Sequence, residues 1–561
     1  MPRFVLRTAI MCLLLFAGTV CALLAAGPGR SGVPPVPLTP TVPVPTTPPP
    51  TTGTMTSPAP TVLVFDGHGY GHGLGLGQWG AYGYALHGWT YDRILAHYYP
   101  GTTLGTAPVS KVRVLIAAGT RATLGATAPW AVIDATGKRT AMSVDAPMTL
   151  RPALDVGGAP LSAPLTVTSS RPLLVNGQAF RGRLTVLSDG KALQVVDTVG
   201  LEQYVKGVVA AEMPQKWPAA ALEAQAVAAR SYALANLQKG DSFDLFADGR
   251  SQIYGGVALE TPSTNAAVAA TRGRVVLWHG AVADTLFSAS SGGRTASAQA
   301  SLAQDIPYLA SVADPYDSLS PYHDWGPVVV SGADAAKALK LGGRVLDVQV
   351  TEGADGRVSS LTAGGLLATQ VTVSGAQARL AFALPSTWFA PSVLSLLPTS
   401  KAAPVGSTVS LTGFLHAAAG EPVRDVSLEA KSLGTGWLPA GPLTLDPSGG
   451  FTQIVSPQLS TQYRLVWGDV RAGLAKIAVS PVVTATASAG AITGSVQPVL
   501  VAAAVELQQQ NGSAWTTVST TTTDGAGSWS FTGTLAPGTY RVRCAPGHGL
   551  APGLSATLVL Q

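Results

Sequence analysis

Between residues 201 and 212 apolar side chains recur at Leu201, Tyr204, Val205, Val208 and Val209, the stripe of an amphipathic helix. Met213-Pro214 closes that helix, because the residue before a proline avoids helical backbone. Pro218 suits the first turn of a longer helix to about Leu237, whose alanine-rich stretch from Ala219 to Ala233 permits close packing. Two shorter helices are predicted upstream. One covers Gln78 to His87; the other is capped by Thr90, carries Ile94, Leu95 and Tyr98 on one side, and stops at Pro100-Gly101. From 111 to 199 the period falls to two, with strands at 112–116, 164–167, 183–187 and 193–196 and a hairpin turn at Asp189-Gly190. Residues 243 to 389 mix short strands with loops. Beyond Pro398 helical spacing disappears, and two stretches of about 80 residues alternate apolar and polar positions between turns such as Asn511-Gly512, Asp524-Gly525 and Pro537-Gly538. These predict two small β-sandwiches.

One stretch follows neither period simply. From Gly67 to Gly77 glycine falls on every second residue. If extended, this ladder places His68, Tyr70, His72, Leu74, Leu76 and Gln78 on one face and bare backbone on the other, where a ligand or a second backbone can approach closely. A tight turn region is the alternative. The side chains sharing the glycine-free face favour a site.

The chain ends differ from its middle. Residues 1–27 read as an export signal or N-terminal anchor: Arg3 and Arg7, an apolar run from Ile10 to Ala26, and Val20-Cys21-Ala22 as a cleavage tripeptide. Residues 28–61 contain 12 prolines among 34 positions, which favours a polyproline II spacer over a packed fold. At 561 residues the chain is too long for one core. Charged residues are 12% of the chain, against 63 glycines and 42 prolines, which suits an exported, strand-rich protein. The net charge of +5 falls to +3 without Arg3 and Arg7, too little to argue for nucleic acid as a partner. Cys12 and Cys21 lie in the leader and Cys544 stands alone, so neither a disulfide framework nor a thiolate metal cluster is expected.

Glu212 is the leading candidate for chemistry. It ends a helix, where the carbonyl end of the dipole disfavours negative charge, among Val208, Val209, Ala211, Met213 and Trp217. Both effects raise a carboxyl pKa and suit a general acid. The same spacing also fits a solvated helix-end residue. His68 and His72 stand too far apart on an extended chain to share one metal ion, so hydrogen bonding to substrate is the better assignment and no metal is expected. Gly292-Gly293 lacks a P-loop lysine, and no serine sits in a nucleophile elbow.

The run Tyr204-Val205-Lys206-Gly207-Val208-Val209-Ala210-Ala211-Glu212-Met213-Pro214, with Trp217-Pro218 and Ala221-Leu222-Glu223-Ala224-Gln225-Ala226-Val227-Ala228-Ala229-Arg230-Ser231-Tyr232-Ala233, closely resembles the SpoIID/LytB family, that of stage II sporulation protein D and the amidase enhancer. Gln252-Ile253-Tyr254-Gly255-Gly256, Thr271-Arg272-Gly273 and Ser290-Ser291-Gly292-Gly293-Arg294-Thr295 add to the resemblance, as do the ladder with Gln78-Trp79-Gly80-Ala81 and His97-Tyr98-Tyr99-Pro100-Gly101-Thr102. It covers about Asp66 to Phe389. The resemblance implies a peptidoglycan lytic transglycosylase or related wall-remodelling factor in which Glu212 is the acid and then the base. Arg230, Ser290 and Ser291 enter the expected substrate site as residues of the matching motifs.

Two departures from the family pattern matter. The ladder precedes the glutamate helix by more than a hundred residues instead of following it, which a circular rearrangement preserving one spatial site would explain. The 287–293 loop carries serines where some members hold zinc through histidine and cysteine. The expected fold is α+β: a mixed α/β SpoIID-like domain over 62–390, then Ig-like β-sandwiches over 398–482 and 486–561. The expected partners are peptidoglycan glycan strands, with contact to a membrane only through the N-terminal segment and with no cofactor. Glu212 would act on the glycan while His68, Tyr70, His72 and Gln78 position it, and Asp314, Asp317 and Asp324 are further candidates to support the site. His323 is a more distant imidazole candidate. The alternatives are a non-catalytic, wall-binding enhancer of a separate cell-wall amidase, and a surface adhesin built on the β-modules.

Overall fold

A computed structural model describes residues 61–561 apart from 145, 157–158, 239, 241, 419–424 and 489. The leader and nearly all of the proline-rich segment lie outside the described residues. The chain is mixed helix and strand, with strand predominating at 45% against 17% helix. None of the described helices is long and apolar enough to cross a membrane.

The helix Ala219–Ala235 lies between two cores. Its 17 residues include 12 that are buried, spread around the whole circumference. Alanine makes this possible, since a helix of small side chains can be approached closely from both sides. Ala226, Ala229 and Ala233 join Leu201, Tyr204, Val205, Val208 and Val209 of the helix Leu201–Glu212 against a seven-stranded sheet and a four-stranded one. The central strands of the larger sheet are Lys111–Gly119, Leu193–Gly200 and Arg183–Ser188, paired antiparallel. On the opposite side of the long helix, Leu222, Ala224, Val227 and Ala228 meet Leu74, Leu76 and the helices Gln78–Leu86 and Tyr91–Tyr98.

The strand Thr61–His68 leaves this body and pairs with Asp324–Ser331 on one edge and Trp388–Pro398 on the other. Its alternation is resolved between two cores. Leu63 and Phe65 face a small unit containing Val345–Glu352, Val358–Gly365 and the helices Gly332–Ala338 and Gly375–Ala381. Val64 faces the apolar filling of the next module, with Leu394, Leu411, Leu465 and Trp467. The strand Trp388–Pro398 therefore runs through the boundary expected between 390 and 398, and one sheet continues from the first region into the second. A last pair of sheets encloses Val496, Val505, Leu507, Trp529 and Val542.

Candidate functional site

Glu212 is the final residue of the helix Leu201–Glu212. The buried stripe of that helix fixes its end, and Met213 turns extended ahead of Pro214. The carboxyl accepts a hydrogen bond at Oε2 from Gln78 Nε2 at 3.2 Å, and another from the Ile253 backbone amide. By surface area the residue is only partly buried, yet its carboxyl sits deep among protein atoms. That desolvation pushes its pKa up to about 7, and the two hydrogen bonds restrain the rise by favouring the charged form. A carboxyl poised there can give up and take back a proton near neutrality. Burial raises the pKa of Tyr232 on the long helix, and the charges of Asp284 and then Glu212 add to the rise.

The ladder brings only one of its side chains to this carboxyl. Its glycines do not continue a strand: φ is +76° at Gly69, +109° at Gly71, +75° at Gly73 and +64° at Gly75. Left-handed residues therefore alternate with extended ones, a backbone open to glycine and strained for other residues. The single face expected from an extended chain does not form. The segment instead threads between elements, bridging Tyr70 to Ser290, Gly71 to Ser386 and Leu74 to Ala296, before Leu76–Gly77 pairs in parallel with Phe287–Ser288. Gln78 then opens a helix, with Trp79 N–H bonded to the Ala289 carbonyl, and the buried Gln78 side chain meets Glu212.

The other ladder residues have different surroundings. His68 Nδ1 pairs with Asp324 Oδ1 at 2.6 Å, both side chains exposed, with the Trp388 ring 5.1 Å from the imidazole. Tyr70 lies against Tyr322, ring centroids 4.9 Å apart. His72 accepts the Leu74 N–H at Nδ1 across 3.0 Å and bonds the Phe287 backbone through its ring. Burial, with Arg379 and Arg357 nearby, pushes its pKa down to about 4, so its imidazole is neutral and committed to the protein's own backbone. This geometry leaves His72 a brace of the ladder and not a sugar ligand.

The serine–glycine loop is likewise tied inward. Asp317, fully buried, accepts from Ser290 Oγ, from the Ser291 and Gly292 amides and from His323. Ser291 Oγ donates to Asp314 Oδ2 at 2.8 Å. Burial, and then the Asp317 charge, push the Asp314 pKa up to about 7. Asp314 and Asp317 thus hold the loop that abuts the ladder, and no direct contact joins either to Glu212. Arg230 is wholly buried, donating to both oxygens of Glu202 at 3.1 and 2.8 Å and to the Arg274 carbonyl. Its guanidinium clamps the two central helices together, which is a structural place and not a substrate-facing one. Among the described residues, no group of three or more His, Cys, Asp or Glu side chains is arranged to hold a metal ion.

Two participants escaped sequence reasoning. The Ile253 amide carries no side-chain signature, although Gln252-Ile253-Tyr254 was recognisable as a motif. Tyr232 had the helical spacing of a core residue, and only its position relative to Glu212 distinguishes it.

The family model for SpoIID, stage II sporulation protein, matches residues 189–278, a span that holds Glu212, Arg230 and Ile253 but neither the ladder nor the serine–glycine loop. An uncharacterised protein of Brachyspira hyodysenteriae is 39% identical over 141 residues, 25% of this chain and 38% of the relative. Stage II sporulation protein D of Bacillus subtilis is 31% identical over 182 residues, 29% of this chain and 53% of that protein. The amidase enhancer of Bacillus subtilis is 36% identical over 114 residues, 20% of this chain and 15% of its own length. The chain thus spans about half or less of the length of these relatives. This match and these relatives make residues 189–278 similar to the SpoIID/LytB family.

Proposed function

We propose that the protein works on the bacterial cell wall, and that its SpoIID-like domain cleaves glycan strands of peptidoglycan without adding water. The observation that carries this reading is the Glu212 carboxyl, poised near neutral pH by burial and held by Gln78 and Ile253. Its pKa is set by burial and those two hydrogen bonds. Ordinary glycoside hydrolysis uses two carboxylates, one of them to activate water or to attack the sugar. A single acid that also serves as base suits an internal displacement. Protonated Glu212 gives its proton to the glycosidic oxygen, and the C1–O bond breaks with its electron pair on that oxygen. The muramic acid 6-hydroxyl then closes onto C1 and returns its proton to Glu212, leaving a 1,6-anhydro sugar. Gln78 fixes the carboxyl in both states.

In this reading the domain is of SpoIID type, the two C-terminal β-modules are Ig-like spacers or adhesion units, and residues 1–27 export or anchor the chain at the wall. The test is digestion of purified glycan strands by the parent protein and by Glu212→Gln. Anhydro-ended products from the parent alone support the reading; none from either would sink it. The amidase enhancer relative favours a second reading, in which the domain binds peptidoglycan and stimulates a separate amidase. That reading expects faster wall release by added amidase, unchanged by Glu212→Gln.

A further inference from the structure

The two segments that meet at the Glu212 carboxyl also bring three aromatic rings together. Trp79 follows Gln78 directly, and Tyr82 lies one turn further along the same helix. Trp217 sits in the turn after Glu212, its amide bonded to the Pro214 carbonyl at 3.1 Å. The ring centroids of Trp79 and Trp217 are 5.0 Å apart, those of Tyr82 and Trp217 4.8 Å, and those of Trp79 and Tyr82 5.6 Å. All three residues remain partly exposed. Trp217 also rests on the apolar core, which anchors the group. Burying these rings fully would gain more than leaving them half open. A cluster of aromatic rings left partly open to solvent keeps apolar area available for a ligand to cover.

We propose that Trp79, Tyr82 and Trp217 form a carbohydrate-stacking subsite that receives the pyranose ring next to the bond Glu212 acts on. One face of an N-acetylhexosamine ring presents axial C–H groups, apolar and slightly positive, to the negative face of an aromatic ring, while its hydroxyl and acetamido groups point outward to water. Because Trp79 adjoins Gln78 and Trp217 follows Glu212 by one turn, a sugar seated there is held in register with the acid. Prefixed rings give up little freedom on binding, so the contact orients the strand at small entropic cost. An uncharged aromatic face suits the glycan backbone and offers nothing to the carboxylates of the stem peptides. The specificity assigned is therefore for the sugar chain. This inference rests on the glycan-directed reading of the Glu212 site.

The test uses the full chain in a Glu212→Gln background, where binding is measured without turnover. Chitotetraose is titrated by calorimetry against that protein and against versions also carrying Trp79→Ala or Trp217→Ala. Each aromatic truncation is expected to weaken binding about tenfold or more, and Trp217→Phe to recover most of it. In the Glu212 protein, Trp79→Ala is expected to raise KM for glycan strands by more than it lowers kcat. Because Trp217 touches the core, circular dichroism accompanies every variant, and the surface position of Trp79 supplies a second, independent truncation. Undiminished chitotetraose binding by a folded Trp79→Ala protein overturns the proposal, as does binding of a free stem peptide where chitotetraose does not bind. Loss of binding in the tryptophan variants, with no anhydro product from the parent, would uphold the subsite while refuting the lytic reaction.

Discussion

Gln78 and Glu212 are 134 residues apart in the chain and one hydrogen bond apart in space, Nε2 donating to Oε2 across 3.2 Å. That contact joins the glycine ladder to the helix that ends in the acid. It shows that a segment far upstream supplies the partner of the carboxyl, while His68 at the ladder's other end is occupied with Asp324.

Gln78 favours the charged form of Glu212, so its removal raises the pKa of the carboxyl further. If Glu212 is the acid, activity falls as pH rises through that pKa. The pH–rate profile of Gln78→Ala on purified glycan strands is therefore expected to have its alkaline limb displaced to higher pH, with a maximal rate lower by roughly tenfold or more. An unshifted limb would separate Gln78 from the proton transfer.

Glu212 also makes stability depend on pH. Its folded pKa, about 7, lies above the unfolded value near 4.5, so between those limits the folded state holds a proton that the unfolded chain has released. The contribution is fully present below about 4.5 and is lost as pH rises through about 7. Glu212→Gln removes the cost of a desolvated charge and is expected to stabilise the protein by roughly 1–3 kcal/mol at pH 8, after allowance for its partial exposure. At pH 4 the difference vanishes. Thermal melts of parent and variant at the two pH values check both sign and window.

Arg230→Met leaves Glu202 without its buried cation and is expected to cost about 3–5 kcal/mol. Adding Glu202→Gln is expected to restore part of that loss. Denaturant titration of the single and double variants measures the coupling, and a near-zero single-variant effect would exclude the clamp.

The ladder glycines can be tested against a glycine of similar backbone. Gly88 has φ +77° and open space where a Cβ would stand, so Gly88→Ala is expected to cost about 1 kcal/mol from backbone strain alone. At Gly75, φ +64°, the same methyl collides with the Leu286 carbonyl and crowds the Tyr99 ring. Gly75→Ala is expected to cost upward of about 3 kcal/mol. Equal melting temperatures for the two variants would show that the ladder tolerates side chains.

What was legible in the amino-acid order was what local periodicity encodes. The stripe from Leu201 to Val209, the stop at Met213-Pro214 and the small-residue helix after Pro218 each follow from propensity and spacing, whereas the raised pKa of Glu212 was one of two readings left open there, and burial selects it. The ladder was misjudged because alternating glycine is compatible both with an extended strand and with alternating left-handed backbone, and only the partners of the segment select between them. Arg230 illustrates a second limit: a motif residue looks the same whether it touches ligand or neutralises Glu202 28 positions away. His72 shows a third, since two backbone contacts decide its role and neither is written in the spacing of side chains.

The strand Thr61–His68 has a consequence for the order of folding. His68 pairs with Trp388 and Thr61 with Ser395, separations of 388 − 68 = 320 and 395 − 61 = 334 residues. This strand, the first among the described residues, must wait for 324 − 68 = 256 residues between His68 and Asp324 before one partner exists, and for more than three hundred before the second. Closing so long a loop is slow, and an apolar strand with open edges is vulnerable to wrong pairing in the meantime. The central helices and their sheet can assemble from nearer neighbours, so the acid-bearing body is placed to form early. The strand that binds it to the following module comes home late, as the last seam drawn closed.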